Sequence, residues 1–260
     1  MPVIYSRVDV KPGDLVLSRY ASYPHPFELE YDVRAMGGTL VNNASAHAFV
    51  ADLGDWYPLL TAYTPKTWYR LQDVPQDATG PFVLKGPTWS RKHQWTRSMY
   101  APTRSELADV YNRLSQDSMF ERERIYIRQF VPLISYGTAI GGLPFAHEFR
   151  VFALDGNTID ASFYYASFEE DIFIQQKANT WWLPTWNEQP AAAHQLVKDI
   201  LAKITNRIRF VAIDVACDAL GRWWLIELND GCMSGLCGSD PATFYSTLAI
   251  QLRNTLTDVE

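Results

Sequence analysis

With 260 residues, 47% of them hydrophobic and 20% charged, the chain has the makeup of a globular protein with room for a sizeable core. A net charge of −6 argues against nucleic acid as a partner through phosphate neutralisation, while leaving room for a local basic pocket that holds a nucleotide. No apolar run approaches the roughly 20 residues needed to cross a bilayer, and no basic, apolar leader opens the chain, so the expected setting is cytoplasmic with no membrane partner.

Leu15-Val-Leu-Ser reads as a strand, Gly37-Gly38 as a break before a short strand Thr39-Leu-Val, and Ala44 to Leu53 as a helix or turn. A Pro/Gly-punctuated connection from Thr64 to Pro81 contains a short helix, and the strand Pro81-Phe-Val-Leu-Lys85 follows. After the polar loop Gly86–His93, the segment Ser105-Glu-Leu-Ala-Asp-Val-Tyr-Asn-Arg-Leu places apolar residues at helical spacing behind a serine cap. Ile125–Val131 is a strand ended by Pro132. His147–Leu154 and Thr158–Ser167 form a hairpin around Asp155-Gly156-Asn157. A helix from about Ala191 to Ile208 leads into two apolar strands, Phe210–Ala216 and Trp223–Asn229, and a last helix runs from about Pro241 to Leu256. Helices interleaved with hairpins predict an α+β or mixed fold, not a doubly wound parallel sheet.

The chemistry concentrates in the second half. Asp214 is a lone carboxylate in an apolar strand, a costly placement unless something compensates it. Glu227 and Asn229 lie two apart on the next strand and share one face. Together they make an all-oxygen set suited to Mg²⁺ held with substrate phosphates; a hairpin whose acids face solvent is the plainer alternative. Lys85 ends a buried-looking strand, so it either meets an anion such as a phosphate or snorkels to the surface. Ser90, Arg91, Lys92 and His93 cluster beside it, without a Walker A pattern. Glu148 and Arg150 share a strand face, either as a surface ion pair or with the guanidinium aimed at phosphoryl oxygens. The glycines of Gly231–Gly238 are either an anion-binding nest or turn residues. Cys217, Cys232 and Cys237 have neither CxxC spacing nor a histidine cluster, which disfavours structural zinc and a disulfide framework. The five histidines suggest no triad. Trp181, Trp182 and Trp186 either line an acceptor groove or, as we favour, pack the second subdomain.

In order, these elements resemble the ATP-grasp superfamily, and more narrowly its divergent clade related to the eukaryotic cell-division-cycle protein 123. The resemblance runs from about Thr64 to Leu236. Lys66 and Lys85 match the family's two nucleotide lysines. Trp89-Ser90 with Trp95 matches the clade's tryptophan-serine and later tryptophan. Gln129, Phe130 and Val131 match the hinge whose backbone pairs with adenine. Glu148-Phe-Arg150 matches the strand whose arginine reaches the phosphates, and Asp214, Glu227 and Asn229 match the magnesium ligands. The usual glycine-rich covering loop is replaced by Trp89-Ser-Arg-Lys-His, which makes Lys92 a candidate extra phosphate ligand.

The resemblance implies an ATP-grasp fold, two α+β subdomains clamping ATP, preceded by a small N-terminal α/β subdomain. The boundaries expected are 1–64, 65–130 for the subdomain with the phosphate loop, and 131–260 for the one with the metal site. It further implies an ATP- and Mg²⁺- (or Mn²⁺-) dependent ligase that joins a carboxylate to an amine, or to a thiol, through an acyl phosphate. The acceptor would be a peptide, a protein or a small metabolite. Lys66, Lys85, Ser90 and the hinge would hold ATP, with Arg150 and Lys92 acting on the phosphoryl group in transfer. An assembly factor that clamps ATP without ligation, and a plain phosphotransferase, are the alternatives.

Overall fold

The computed structural model describes residues 2–22, 25–87, 92–117, 124–138, 140–167 and 184–257. Ser90, with Trp89, Arg91, Trp181 and Trp182, lies outside the described residues. Twelve strands are described. The first two, β1 (Leu15–Val16) and β2 (Thr39–Leu40), pair in parallel beside the helix Pro26–Ala35. A four-stranded sheet has the order β3-β6-β4-β5, formed by β3 (Thr67–Trp68), β4 (Phe82–Lys85), β5 (Tyr100–Ala101) and β6 (Tyr126–Gln129). A small hairpin, β7 (Ser135–Thr138) with β8 (Pro144–Ala146), leads to the second four-stranded sheet. That sheet has the order β10-β9-β11-β12, from β9 (Glu148–Leu154), β10 (Asn157–Phe163), β11 (Phe210–Cys217) and β12 (Trp223–Asp230). Both larger sheets are antiparallel throughout, as the hairpin-rich reading requires.

Local chemistry explains the connections. Asp155 and Gly156 both take positive φ, 46° and 83°, the backbone of a tight hairpin turn. The turn is fixed by the Arg209 fork, which donates to the Asp155 carboxylate at 2.8 and 2.9 Å. Between β11 and β12, Asp218 Oδ1 accepts from the amides of Leu220 and Arg222, both at 2.9 Å, folding the turn around one side chain.

The helix Ala191–Ile204 buries Ala193, Leu196, Val197, Ile200, Leu201 and Ile204, a continuous stripe at helical spacing, against the second sheet. The helix Leu107–Ser115 does the same for the first sheet with Leu107, Val110 and Leu114. Its expected serine cap is not used: Glu106 is the capping residue, and Ser105 Oγ lies 2.9 Å from the Thr103 hydroxyl.

The N-terminal region differs most from the sequence reading. The helix Ala44–Ala51 stands where a helix or turn was expected over Ala44 to Leu53, and a second helix, Leu53–Leu60, follows where no element was expected; Asn43 and Asp52 cap them respectively. Pro58 sits inside the second. Proline has no N–H to offer the carbonyl four residues back, and that carbonyl, of Gly54, accepts instead from the Tyr69 hydroxyl at 3.2 Å. Phe49, Val50, Leu53, Trp56 and Leu60 join the core of the second sheet. The 64–81 connection holds strand β3 and a single turn at Leu71–Asp73.

Candidate active site

Strand register assembles the polar face. Asp214 on β11 lies opposite Arg150 on β9 and opposite Glu227 on β12, while Ala212 lies opposite Asn229. Directly opposed residues share a face, so Glu148, Arg150, Asp214, Glu227 and Asn229 are on one side of the sheet. The register shifts after Asp214, where Val215 pairs with Leu225 and Ile226 is left over. This bulge keeps Glu227 beside Asp214 despite the extra residue. The Ile226 carbonyl accepts from Arg128 Nη1 of β6 at 2.8 Å, and Arg128 Nη2 reaches the Thr64 hydroxyl at 2.6 Å. Arg128, which had no role on sequence grounds, therefore ties the first sheet to the bulge of the second. Its burial lowers its pKa to about 10.

Two ion pairs cross the site. Arg150 grips Asp214 with both Nε and Nη2 at 2.8 Å, and its Nη1 donates to the Gly235 carbonyl at 3.0 Å. Burial disfavours the Arg150 charge, but Asp214 outweighs it and holds the guanidinium well above its ordinary pKa. Asn229 Nδ2 donates to the Asp214 carboxylate at 3.3 Å. The second pair joins Lys85, at the end of β4, to Glu227. Burial opposes the Glu227 charge, yet Lys85 and Lys92 draw its carboxyl down to about 2. For Lys85, burial wins and lowers the ammonium's pKa despite Glu227.

Lys92 Nζ donates to the Tyr164 hydroxyl at 2.8 Å and lies 4.6 Å from the ring centre, while the Arg150 guanidinium lies 5.0 Å from the same ring. Tyr164 thus contacts two cations, a role with no signal in the sequence. Glu148 is buried instead of forming a surface pair with Arg150. Its Oε2 accepts from the Tyr165 hydroxyl at 3.1 Å, and burial raises its carboxyl to about 7 against the opposing pull of Lys92.

Lys85, Arg150, Glu227 and Asn229 all line one cleft of about 310 Å³. Asp214 is fully buried and is not among the lining residues. Lys66 is exposed, 5.4 Å from the Trp68 ring centre, and stands apart from this cleft. At the hinge, the amide of Gln129 donates to the Lys66 carbonyl at 2.8 Å and that of Phe130 to the Pro81 carbonyl at 3.0 Å. Val131 follows them, half-buried.

In the glycine-rich loop the amides at 231, 232, 233 and 234 donate to Phe210 and Asp230 oxygens, which commits the first half of the loop to its own fold. Gly231 and Gly238 serve packing, since an added Cβ would come within 2.9 Å of the Phe210 ring and 2.7 Å of Ala166 respectively. Among the described residues no three His, Cys, Asp or Glu side chains form a ready metal cluster. One carboxylate and one amide at the cleft do fit Mg²⁺, which takes few protein ligands and completes its shell with phosphate oxygens and water. No helix among the described residues is long and apolar enough to cross a membrane.

Among known proteins, several solved structures resemble this one. An L-amino acid ligase from Bacillus licheniformis matches with a TM-score of 0.51 at 13% identity, over 82% of this chain and 48% of its own. The chain thus spans about half the length of that ligase. D-cycloserine synthetase DcsG matches with a TM-score of 0.55 at 15% identity, over 86% of this chain and 77% of its own. C-terminally truncated Cdc123 from Schizosaccharomyces pombe matches with a TM-score of 0.43 at 15% identity, over 72% of this chain and 85% of its own. No curated protein matches the sequence significantly. A family model for an ATP-grasp domain, the third family of one clade of that superfamily, matches residues 73–248, well over half of the chain. The fold is ATP-grasp, and the chain belongs to that clade of ATP-grasp proteins.

Proposed function

We propose that the protein is an ATP- and Mg²⁺-dependent ligase that joins a carboxylate to an amine through an acyl phosphate. The observation that carries this reading is the convergence of Lys85, Arg150, Glu227 and Asn229, from three strands of two sheets, on one cleft. Lys85 and Arg150 would bind the phosphates. Three of the five Arg150 N–H donors are committed to Asp214 and Gly235, which leaves two for phosphoryl oxygens. Lys92, held by Tyr164 beside Arg150, would add a third cation. Glu227 and Asn229 would hold Mg²⁺, with Asp214 positioning Arg150 from behind. Bound there, the metal would supply charge neutralisation for the phosphates. No separate nucleophilic side chain is required, because positioning and electrostatics dominate phosphoryl transfer. An adenine at the hinge would be met by Val131 or by carbonyl oxygens, since the Gln129 and Phe130 amides already have partners. Lys66 and Ser90 remain candidates for the nucleotide's outer contacts. In this reading residues 1–64, 65–130 and 131–260 act as acceptor-side, phosphate-loop and metal-site subdomains.

A free amino acid offers both a carboxylate and an amine, and the fold is shared with an L-amino acid ligase. The proteinogenic amino acids, singly and in pairs, are therefore the first panel. Calorimetric titration of ATP with and without Mg²⁺ tests the clamp, and ADP release over the panel tests ligation. Mg²⁺-dependent binding and amino-acid-dependent ADP release are the expected results. ATP binding with no ADP release from any pair would point to a nucleotide-binding factor that ligates nothing.

A further inference from the structure

His47 and Asp230 line the same cleft as Lys85 and Arg150, together with the apolar residues Val50, Trp56 and Met233. His47 Nδ1 lies 3.1 Å from Asp230 Oδ2. The geometry around this pair fixes which ring nitrogen holds the proton. Asn42 Oδ1 accepts the Phe210 amide at 3.0 Å, so the Asn42 amide cannot be flipped, and its Nδ2 donates to the Phe210 carbonyl and to Asp230 Oδ1, each at 2.6 Å. The Cys232 amide adds a second donor to Oδ1 at 2.8 Å. With Oδ1 saturated, Oδ2 is the oxygen that takes the Nδ1–H of His47. In its neutral form the imidazole is then left with a bare lone pair on Nε2.

That nitrogen is buried and has no hydrogen-bond partner among the described residues, in a residue only 9% exposed. An unsatisfied buried acceptor costs about 1–3 kcal/mol, and a donor from a bound ligand would recover it. The ligand group must bring an N–H or O–H, and it must sit in the cleft that Lys85 and Arg150 also line. Asp230 immediately follows Asn229, so one strand end holds both the proposed metal ligand and the partner of His47.

We infer that His47 is the proton acceptor for the attacking amine of a small acceptor substrate, with Asp230 as its positioning residue. This rests on the ligase reading above. The amine nitrogen forms a bond to the carbonyl carbon of the acyl phosphate as the bond from that carbon to the phosphate oxygen breaks. The phosphate leaves with the electron pair. The proton released by the amine passes to His47 Nε2 and returns to the departing phosphate. The apolar walls select an amine or carboxylate with a hydrocarbon side chain, and a cleft of about 310 Å³ suits a small molecule.

The test compares two nucleophiles over the amino-acid panel, in the parent and in His47→Gln. Amide formation with an amino acid as nucleophile needs a base. Hydroxylamine traps acyl phosphates as hydroxamates without one. The substitution should lower amide formation about 100- to 10,000-fold and hydroxamate formation at least tenfold less than that. Equal losses with both nucleophiles, or no loss, would overturn the role. A parent that forms neither product from any member would remove the ligase reading, and this inference with it. Histidine ¹⁵N spectra of the folded parent give an independent check. Neutral His47 should carry its proton on Nδ1, and Asp230→Asn should shift it toward Nε2. A parent with the proton on Nε2 would overturn the inference whatever the panel gives.

Discussion

Replacing Glu148 with glutamine should make the protein's stability less dependent on pH. Glu148 is 4% exposed, and burial raises its carboxyl from an ordinary 4.5 to about 7, with Lys92 opposing and Asp214 reinforcing the shift. A raised carboxyl favours the neutral form in the folded state. Its contribution is therefore fully present below the unfolded value, near 4.5, and is lost as pH rises through about 7. A displacement of that size corresponds to at most about 3 kcal/mol. Glutamine keeps the shape and can still accept from Tyr165, but it has no proton to lose. Urea unfolding of the parent at pH 5 and pH 8, without nucleotide or metal, should show a fall in stability over this interval. In Glu148→Gln the fall should shrink, by an amount approaching that figure. Parallel profiles for the two proteins would refute the argument and place a charged Glu148 in the folded state at neutral pH.

Three further outcomes follow from the site. Lys85→Met should destabilise by about 3–5 kcal/mol, because Glu227 is left buried without its partner; the double variant Lys85→Met/Glu227→Leu should recover much of this, and simple additivity in the double-mutant cycle would argue against the pair. Arg128→Lys should lose the bonds to Ile226 and Thr64, cost about 1–3 kcal/mol in urea unfolding, and weaken Mg²⁺-dependent ATP binding by calorimetry, whereas unchanged binding would separate the bulge from the site. Asp214→Ala should cost about 3–5 kcal/mol by leaving Arg150 uncompensated, and a variant as stable as the parent by thermal melting would show that the bidentate pair contributes nothing.

How much of this was legible in the sequence depended on whether local pattern carried the information. Asp214, Arg150 and Lys85 stood out because each is a charge in an apolar strand, and period-two alternation placed them. The second antiparallel sheet followed from hairpin signals such as Asp155-Gly156, whereas the two-residue strands β3 and β5 of the first were too short to carry a pattern. The helix Leu53–Leu60 was hidden because Gly54 and Pro58 read as breakers, and only Asp52 as cap and Tyr69 as substitute donor make it workable. The β7–β8 hairpin has no alternation to betray it. His47 and Asp230 are 183 positions apart, so no spacing argument could join them. The Ile226 bulge was likewise invisible, because it is a property of pairing and not of one strand. In the glycine-rich loop composition suggests free amides, but the fold assigns those of residues 231–234 to Phe210 and Asp230.

The two crossed ion pairs have a consequence for thermodynamic coupling. Lys85 with Glu227, and Arg150 with Asp214, make each charged group the counter-ion of another. In the proposed reading, a nucleotide arriving alone would draw Lys85 away and leave Glu227 without its ion-pair partner; a divalent cation arriving alone would do the reverse to Lys85. If both arrived, Lys85 would exchange a carboxylate for phosphate while Glu227 would exchange an ammonium for the metal, and no charge would be stranded. Each ligand should therefore raise the affinity for the other by the same factor, so that the protein discriminates against free ATP and free metal and registers the complex of the two.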